Sequence, residues 1–235
     1  MFKKLASFLI PINIYKRKSA VSTTLEVTWT NGELVLDSKN TNYSYGSLQR
    51  ILRKGLKSIG FETIQKMESI LVLGVAGGSV IKTLVNEIKY KGKITGVEID
   101  SEIIEIANTY FKLNQIPNLT IIIDDAFEFV LKTNETFDLI IIDIFQDTNM
   151  PNFLFEKFFI DRIGSFLKPS GYILFNTMLT KESDTTRNQK YISEFDASKF
   201  ITKAIPRAEQ HNELIIVEKK LVLKSKVLKS NEDKR

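Results

Sequence analysis

The stretch Ile70-Leu71-Val72-Leu73-Gly74-Val75-Ala76-Gly77-Gly78-Ser79 decides the fold. Four consecutive apolar residues read as a strand buried on both faces, as in a parallel sheet. The glycines that follow read as a tight turn into a helix, predicted over 80–89. The unit then recurs downstream. Strands are predicted at 94–97, 119–123, 137–142 and 172–175, with helices at 102–113, 126–132 and 153–167 between them. Such alternation specifies an α/β protein with helices packed on a parallel sheet. The array closes differently. Residues 200–205 and 213–217 are two strands joined only by a loop, which predicts an antiparallel hairpin. The expected fold is therefore α/β, with a seven-stranded, mostly parallel sheet.

Upstream, Leu25, Val27 and Trp29 alternate with polar residues, Asn31-Gly32 supplies a two-residue turn, and Leu34 and Leu36 resume the alternation. This predicts a small N-terminal β-hairpin subdomain. Leu48, Ile51, Leu52, Leu56 and Ile59 mark one face of a helix over 46–60, with Gly60 as its stop. At the start, Lys3-Lys4 precedes an apolar run from Leu5 to Ile14. Pro11 and Asn13 interrupt it, no small-x-small cleavage site follows, and it is too short to span a bilayer. It is expected to pack on the domain or on a second subunit. The predicted organisation is an N-terminal segment, hairpin and linking helix over 1–60, the main α/β domain over 61–220, and a basic tail over 221–235.

The 235 residues are 43% hydrophobic and 26% charged, as in a globular protein outside the membrane. Cysteine is absent, which excludes disulfides, a thiolate zinc site and a cysteine nucleophile. The only histidine is His211, which argues against a Ser-His-Asp triad or a multi-histidine metal site. No metal is expected, and acid–base chemistry falls to Asp, Glu, Tyr or Lys. A cytoplasmic location is expected. The net charge of +5 is unevenly placed. Residues 1–20 carry five basic residues and no acid, and residues 217–235 carry seven basic residues against three acids, so the body between is acidic. No nucleic acid is expected as a partner, because the folded body lacks the basic face that grips phosphate. The basic ends read as solvated, or as contacts to an acidic partner or a membrane surface.

Ligands of an open parallel sheet bind beyond the carboxyl ends of its strands. The residues there are the 74–79 turn, Glu98, Asp124-Asp125 and Asp143. A glycine turn lets backbone approach a nucleotide. Glu98 can accept hydrogen bonds from both ribose hydroxyls, and Asp125 one from an adenine amino group. Asp143 ends the fourth strand, near the reacting centre. Acids after strands also serve as helix caps, and Asp124 reads equally as one. NAD is the competing ligand. The Gly74 turn lacks Gly-x-Gly-x-x-Gly spacing, and the closing hairpin and the Lys168-Pro169-Ser170-Gly171 turn do not suit a nicotinamide domain.

The segments LVLGVAGGS (71–79), GVEIDSEIIEIANTYF (96–111), IIIDDAFEFV (121–130), FDLIIIDIF (137–145), FLFEKFF (153–159) and LKPSGYILFNT (167–177) resemble class I S-adenosylmethionine-dependent methyltransferases, and within them the spermidine synthase branch. The segment LVLDSKNTNYSYGSLQR (34–50) resembles the small N-terminal β-domain of spermidine synthases. The resemblance implies a Rossmann-like sheet. It implies ribose binding at Glu98 with Ile99 beside it, adenine binding at Asp125 and Ala126, and contacts from Gly74, Ala76, Gly77 and Gly78 to the methionine or aminopropyl portion. Asp143 matches the first aspartate of Asp-Ser-Ser-Asp-Pro, the carboxylate that activates an attacking amine. Tyr43, Tyr45, Ile144, Phe145 and Asp147 are the expected walls of the acceptor pocket, with Phe153 a further candidate.

The chain also departs from the family pattern. Gln146 replaces the second aspartate of that motif, the glycine turn carries no acid, and Asn42-Tyr43-Ser44-Tyr45 lacks the glutamate of the N-terminal motif. Compared with methyltransferases, Val72 replaces the acid before Gly74 and Ala76 replaces the middle glycine. The leading expectation is a spermidine synthase-like methyltransferase using S-adenosylmethionine on an unknown small-molecule acceptor. The alternatives are an aminopropyltransferase using decarboxylated S-adenosylmethionine, and a nucleoside-binding protein without turnover. A homodimer is expected, because an exposed N-terminal hairpin needs cover and because the family forms one.

Overall fold

The computed structural model describes residues 2–19, 21–38, 42–145, 149–209 and 211–221. After a short helix α1 (Phe2–Ala6), four strands form an antiparallel sheet in the order β1 (Ile12–Ser19), β2 (Thr23–Thr30), β3 (Glu33–Ser38) and β4 (Asn42–Ser44). The predicted hairpin is β2–β3. Asn31 and Gly32 have φ of 50° and 77°, the left-handed pair that closes a two-residue hairpin turn. The predicted hairpin thus becomes a four-stranded sheet, because β1 and β4 flank it.

Helices α2 (Gly46–Ile59) and α3 (Phe61–Gln65) lead into the main sheet. Leu48, Ile51, Leu52 and Leu56 form the buried face of α2. The main sheet comprises β5 (Ser69–Leu73), β6 (Lys93–Glu98), β7 (Leu119–Ile123), β8 (Phe137–Ile142), β9 (Leu167–Met178), β10 (Phe200–Glu209) and β11 (Asn212–Lys219). Its order is β10-β11-β9-β8-β5-β6-β7. Strands β5 to β9 pair in parallel, and β11 runs antiparallel to both β9 and β10. This is the predicted seven-stranded sheet with its closing hairpin. The order reverses at β5, between β8 and β6, which places a ligand crevice over the Gly74 turn.

Alternate residues of β5 feed two cores. Ile70 and Val72 face the layer with α2 and α4 (Ser79–Lys82), which continues through one π turn at Thr83–Glu87. Leu71 and Leu73 face α6 (Ala126–Lys132), α7 (Lys157–Phe166) and α8 (Glu182–Ser193). A third cluster joins Leu25, Val27 and Leu36 of the small sheet to Ile103, Ile106 and Phe111 of α5 (Ser101–Phe111). The small sheet is thereby packed on the helix that follows Glu98.

Several elements differ from expectation. Helix α8 and strand β1 were not predicted. The helix predicted at 153–167 is a 3₁₀ turn at Asn152–Phe155 followed by α7, and the last strand of the parallel set runs for twelve residues rather than four. No helix among the described residues is long and apolar enough to cross a membrane.

Candidate functional site

A cavity of about 360 Å³ opens at the carboxyl ends of the parallel strands, within the size range of small-molecule sites. Its chemistry starts with Glu98. Burial raises the Glu98 pKa, opposed by backbone N–H donors. Oε2 accepts from the amides of Val75 and Ala76, each at 3.0 Å, and Oε1 accepts from the amide of Asp100 at 3.0 Å. Glu98 therefore folds the glycine turn around itself. Oε1 keeps a lone pair free for a ligand hydroxyl.

The turn has no slack. Gly74 has φ of 86°, and a Cβ there would collide with the Asp143 carbonyl. A Cβ on Gly77 would lie 2.7 Å from Cβ of Ser44. Ser44 Oγ accepts from the Ser79 amide at 3.2 Å, and the Gly78 amide donates to the Val75 carbonyl at 2.9 Å. These amides serve the fold. Gly74 and Ala76 line the cavity, whereas Gly77 and Gly78, both predicted as ligand contacts, are not among its lining residues.

Asp100 makes a second junction. Its Oδ1 caps α5 by accepting from the Glu102 amide at 3.0 Å. Its Oδ2 accepts from Ser19 Oγ at 2.6 Å and Ser22 Oγ at 2.7 Å. The segment joining β1 and β2 is thus fastened beside Glu98, and Val21 and Ser22 become cavity wall. Neither residue was predicted there.

After β7, Asp124, Asp125 and Ala126 line the cavity. The helix cap is Asp125, not Asp124: Asp125 Oδ1 accepts from the Phe127 amide at 2.7 Å, and Asp124 Oδ1 accepts from the Asp125 amide at 2.9 Å. One oxygen of Asp125 serves the helix, and the other is left to face a ligand. Ile99 lines the same end, as do Pro151 and Phe153.

Asp143 lies at the end of β8. Its pKa is pushed up to about 6, first by burial and further by the Glu98 charge, against a hydrogen bond from Asn176. Asn176 Nδ2 donates to Asp143 Oδ1 at 2.9 Å, and Asn212 Nδ2 donates to Asn176 Oδ1 at 3.0 Å. A carboxylate–amide–amide chain thus crosses β8, β9 and β11. Asn212 was not predicted. It comes from the loop end of β11, which the antiparallel register brings opposite Met178. Ile144 and Phe145 line the cavity, joined by Leu48 and Ile51 of α2 and by Met178.

The tyrosines fall elsewhere. Tyr45 is not among the lining residues. Its ring stacks on Phe111 at 4.5 Å and its hydroxyl donates to the Gly77 carbonyl at 3.2 Å, so it buttresses the turn from behind. Tyr43 lies on β4 with its side chain outside the described part, and Asp147 is outside the described residues.

Four carboxylates line the cavity, Glu98, Asp124, Asp125 and Asp143, and no Lys, Arg or His is among the described lining residues. Such a cavity favours a cationic ligand and disfavours a free carboxylate or phosphate. No group of His, Cys, Asp and Glu suited to a metal occurs among the described residues.

Comparison with known proteins gives the family and the fold. A family model described as the spermine/spermidine synthase domain matches residues 50–227. Polyamine aminopropyltransferase of Vibrio vulnificus (strain CMCP6) is 29% identical over 154 residues, covering 64% of this chain and 50% of that protein. The eEF1A lysine and N-terminal methyltransferase homolog of Drosophila melanogaster is 28% identical over 165 residues, covering 63% of this chain and 24% of that one. The chain spans half or less of the length of these relatives. Among solved structures, a spermidine synthase in complex with the transition-state analogue AdoDATO superposes with a TM-score of 0.71 at 17% identity, covering 89% of this chain and 74% of that one. That likeness concerns the fold.

Proposed function

Because the chain belongs to the spermine/spermidine synthase domain family, we propose that it is an aminopropyltransferase, moving the aminopropyl group of decarboxylated S-adenosylmethionine to an amine. This reverses the order expected from sequence, which put methyl transfer first. The observation that carries it is the lining of four carboxylates with no basic side chain among the described residues. Decarboxylated S-adenosylmethionine is cationic at its sulfonium and at its amine, and the acceptor is a further cation. S-adenosylmethionine would add a carboxylate, for which the described lining offers no cationic partner. Among the sequence relatives, the Vibrio vulnificus protein is named a polyamine aminopropyltransferase, which supports the same reading, and the Drosophila melanogaster one a methyltransferase homolog.

The sulfonium supplies an activated carbon. The protein's part is orientation, exclusion of water and proton transfer. Glu98 holds the ribose through its free lone pair, and Asp125 and Ala126 hold the adenine edge. Asp143 holds the acceptor nitrogen. That nitrogen forms a bond to the aminopropyl carbon as the carbon–sulfur bond breaks, its electron pair passing to sulfur and leaving neutral methylthioadenosine. Asp143 takes the proton the amine loses. A pKa of about 6 suits a base that must be ionised near neutrality yet accept a proton.

One observation favours methyl transfer. Gly77 stands where the family resemblance places an acid for the aminopropyl ammonium, and Ser44 leaves no room for a side chain there. The experiment is direct. Purified protein is incubated with putrescine and either decarboxylated or intact S-adenosylmethionine, and the nucleoside product is identified by mass spectrometry. Methylthioadenosine formed from the decarboxylated form is the expected result. S-adenosylhomocysteine from the intact form would establish methyl transfer instead.

A further inference from the structure

Five large apolar side chains stand in water within nine residues: Phe2 at 83% exposure, Leu5 at 61%, Phe8 at 61%, Leu9 at 88% and Ile10 at 64%. The segment that carries them is pinned to the small sheet. The buried Ser7 accepts from the Asn31 amide through its carbonyl at 3.0 Å, and from the Gly32 amide through Oγ at 3.0 Å. Ser7 Oγ also donates to the Lys4 carbonyl at 2.7 Å. The Phe8 ring occupies the space beside Gly32 that a Cβ would need, and Lys4 Nζ lies 5.8 Å over the Trp29 ring. The β2–β3 turn therefore fixes α1 and the residues after it with their apolar side chains facing outward. A contiguous exposed apolar patch of this kind marks an interaction surface.

The segment itself carries charge of one sign: Lys3 and Lys4 are exposed on α1 and residues 2–19 hold no acid, while the turn that pins the segment is followed by the exposed Glu33. We propose that this segment is a membrane-surface contact. Phe2, Leu5, Leu9 and Ile10 enter the interface of a bilayer that carries anionic lipid, while Lys3 and Lys4 meet its phosphates. Apolar side chains interleaved with lysine are the composition that binds in the plane of such an interface.

A second copy of the chain fits less well. An isologous interface over the patch would take Lys3 and Lys4 of both protomers out of water, a cost that anionic headgroups avoid. A rigid protein partner also fits less well. Side chains more than three-fifths exposed stand proud of the surface, and a rigid partner would need matching holes. Acyl chains deform around them. The surface is independent of the chemistry assigned to the cavity.

The test uses the full chain in flotation with vesicles of phosphatidylcholine alone or mixed with phosphatidylserine, at low and high salt. Binding is expected only to the mixed vesicles, weakened by salt. Leu5→Ser/Leu9→Ser and Lys3→Glu/Lys4→Glu should each lower the bound fraction about tenfold with thermal midpoints unchanged. The basic tail is the rival source of charge, so Lys224→Glu/Lys226→Glu/Lys229→Glu should bind as wild type does. The proposal is overturned if wild type ignores anionic vesicles, if only the tail variant loses binding, or if wild type sediments as a dimer that Leu5→Ser/Leu9→Ser splits without any vesicle binding.

Discussion

Burial raises the Asp143 pKa, the Glu98 charge raises it further, and a hydrogen bond donated by Asn176 opposes both. These facts set its behaviour as a base. In the free protein its pKa is about 6, so kcat/KM should climb with pH through that value. A bound cation favours the charged carboxylate, so the inflection in kcat should lie lower than the one in kcat/KM. Asp143→Asn keeps an acceptor for Asn176 but cannot take a proton. It should lower kcat by about 10²- to 10⁴-fold, the usual worth of a positioned base, and abolish the inflection. A pH–rate profile of both proteins decides this, and an unchanged inflection in the variant would assign the titration to another group. Asp143 was legible in the sequence because acids at strand ends face the crevice. Asn176 and Asn212 were not chosen as site residues, since their meeting depends on the register of β11 against β9. Tyr45 was misplaced for a backbone reason: its φ of 71° turns the ring onto Phe111 instead of into the cavity.

At the scale of elements, the parallel strands were readable because each is an apolar run between turn residues. Strand β1 was not. It carries Asn13, Lys16, Arg17 and Lys18 on the edge of its sheet, where charge discourages further pairing and hides the strand signal. Helix α8 was missed because Asn188 and Tyr191 are its only buried residues, too few to show a periodicity. The unpredicted β1 matters to the site, since its end is bound by Asp100 through Ser19 and Ser22. Ser19→Ala/Ser22→Ala removes that fastening and spares the Asp100 cap on α5. It leaves one buried carboxylate oxygen unpartnered, at a cost of about 1–3 kcal/mol. Affinity for methylthioadenosine should fall about tenfold, or about 1.4 kcal/mol, because Val21 and Ser22 no longer hold their wall. Calorimetric titration measures it. A variant that melts earlier but binds the nucleoside as wild type does would show that the wall makes no contact with the ligand.

For the whole molecule, the carboxylates with shifted pKa divide into two groups with opposite effects on stability. Burial pushes Asp138 up, but the Lys168 ammonium and the Ser69 and Glu68 amides outweigh it, so its pKa is lowered. Its contribution is present above its unfolded value and is lost as pH falls through the lower native one. Glu98 and Asp143 are raised, chiefly by burial. For Asp143 the native state binds the proton more tightly than the unfolded chain, where an aspartate titrates at 3.8. Its stabilisation is complete below that value and is lost as pH rises through about 6. At neutral pH the cavity therefore holds negative charge that no basic side chain among its described lining residues offsets. Asp143→Asn should raise the thermal midpoint by several degrees at about pH 8 and by little at about pH 4.5, since one pKa unit corresponds to about 1.4 kcal/mol. A cationic nucleoside should bring the same relief to wild type. Decarboxylated S-adenosylmethionine should therefore stabilise wild type more than it stabilises the variant at about pH 8, and the gap should close at about pH 4.5. Scanning calorimetry at both pH values with and without the nucleoside tests this. Equal stabilisation of the two proteins at the higher pH would mean that the ligand's charge does not reach Asp143.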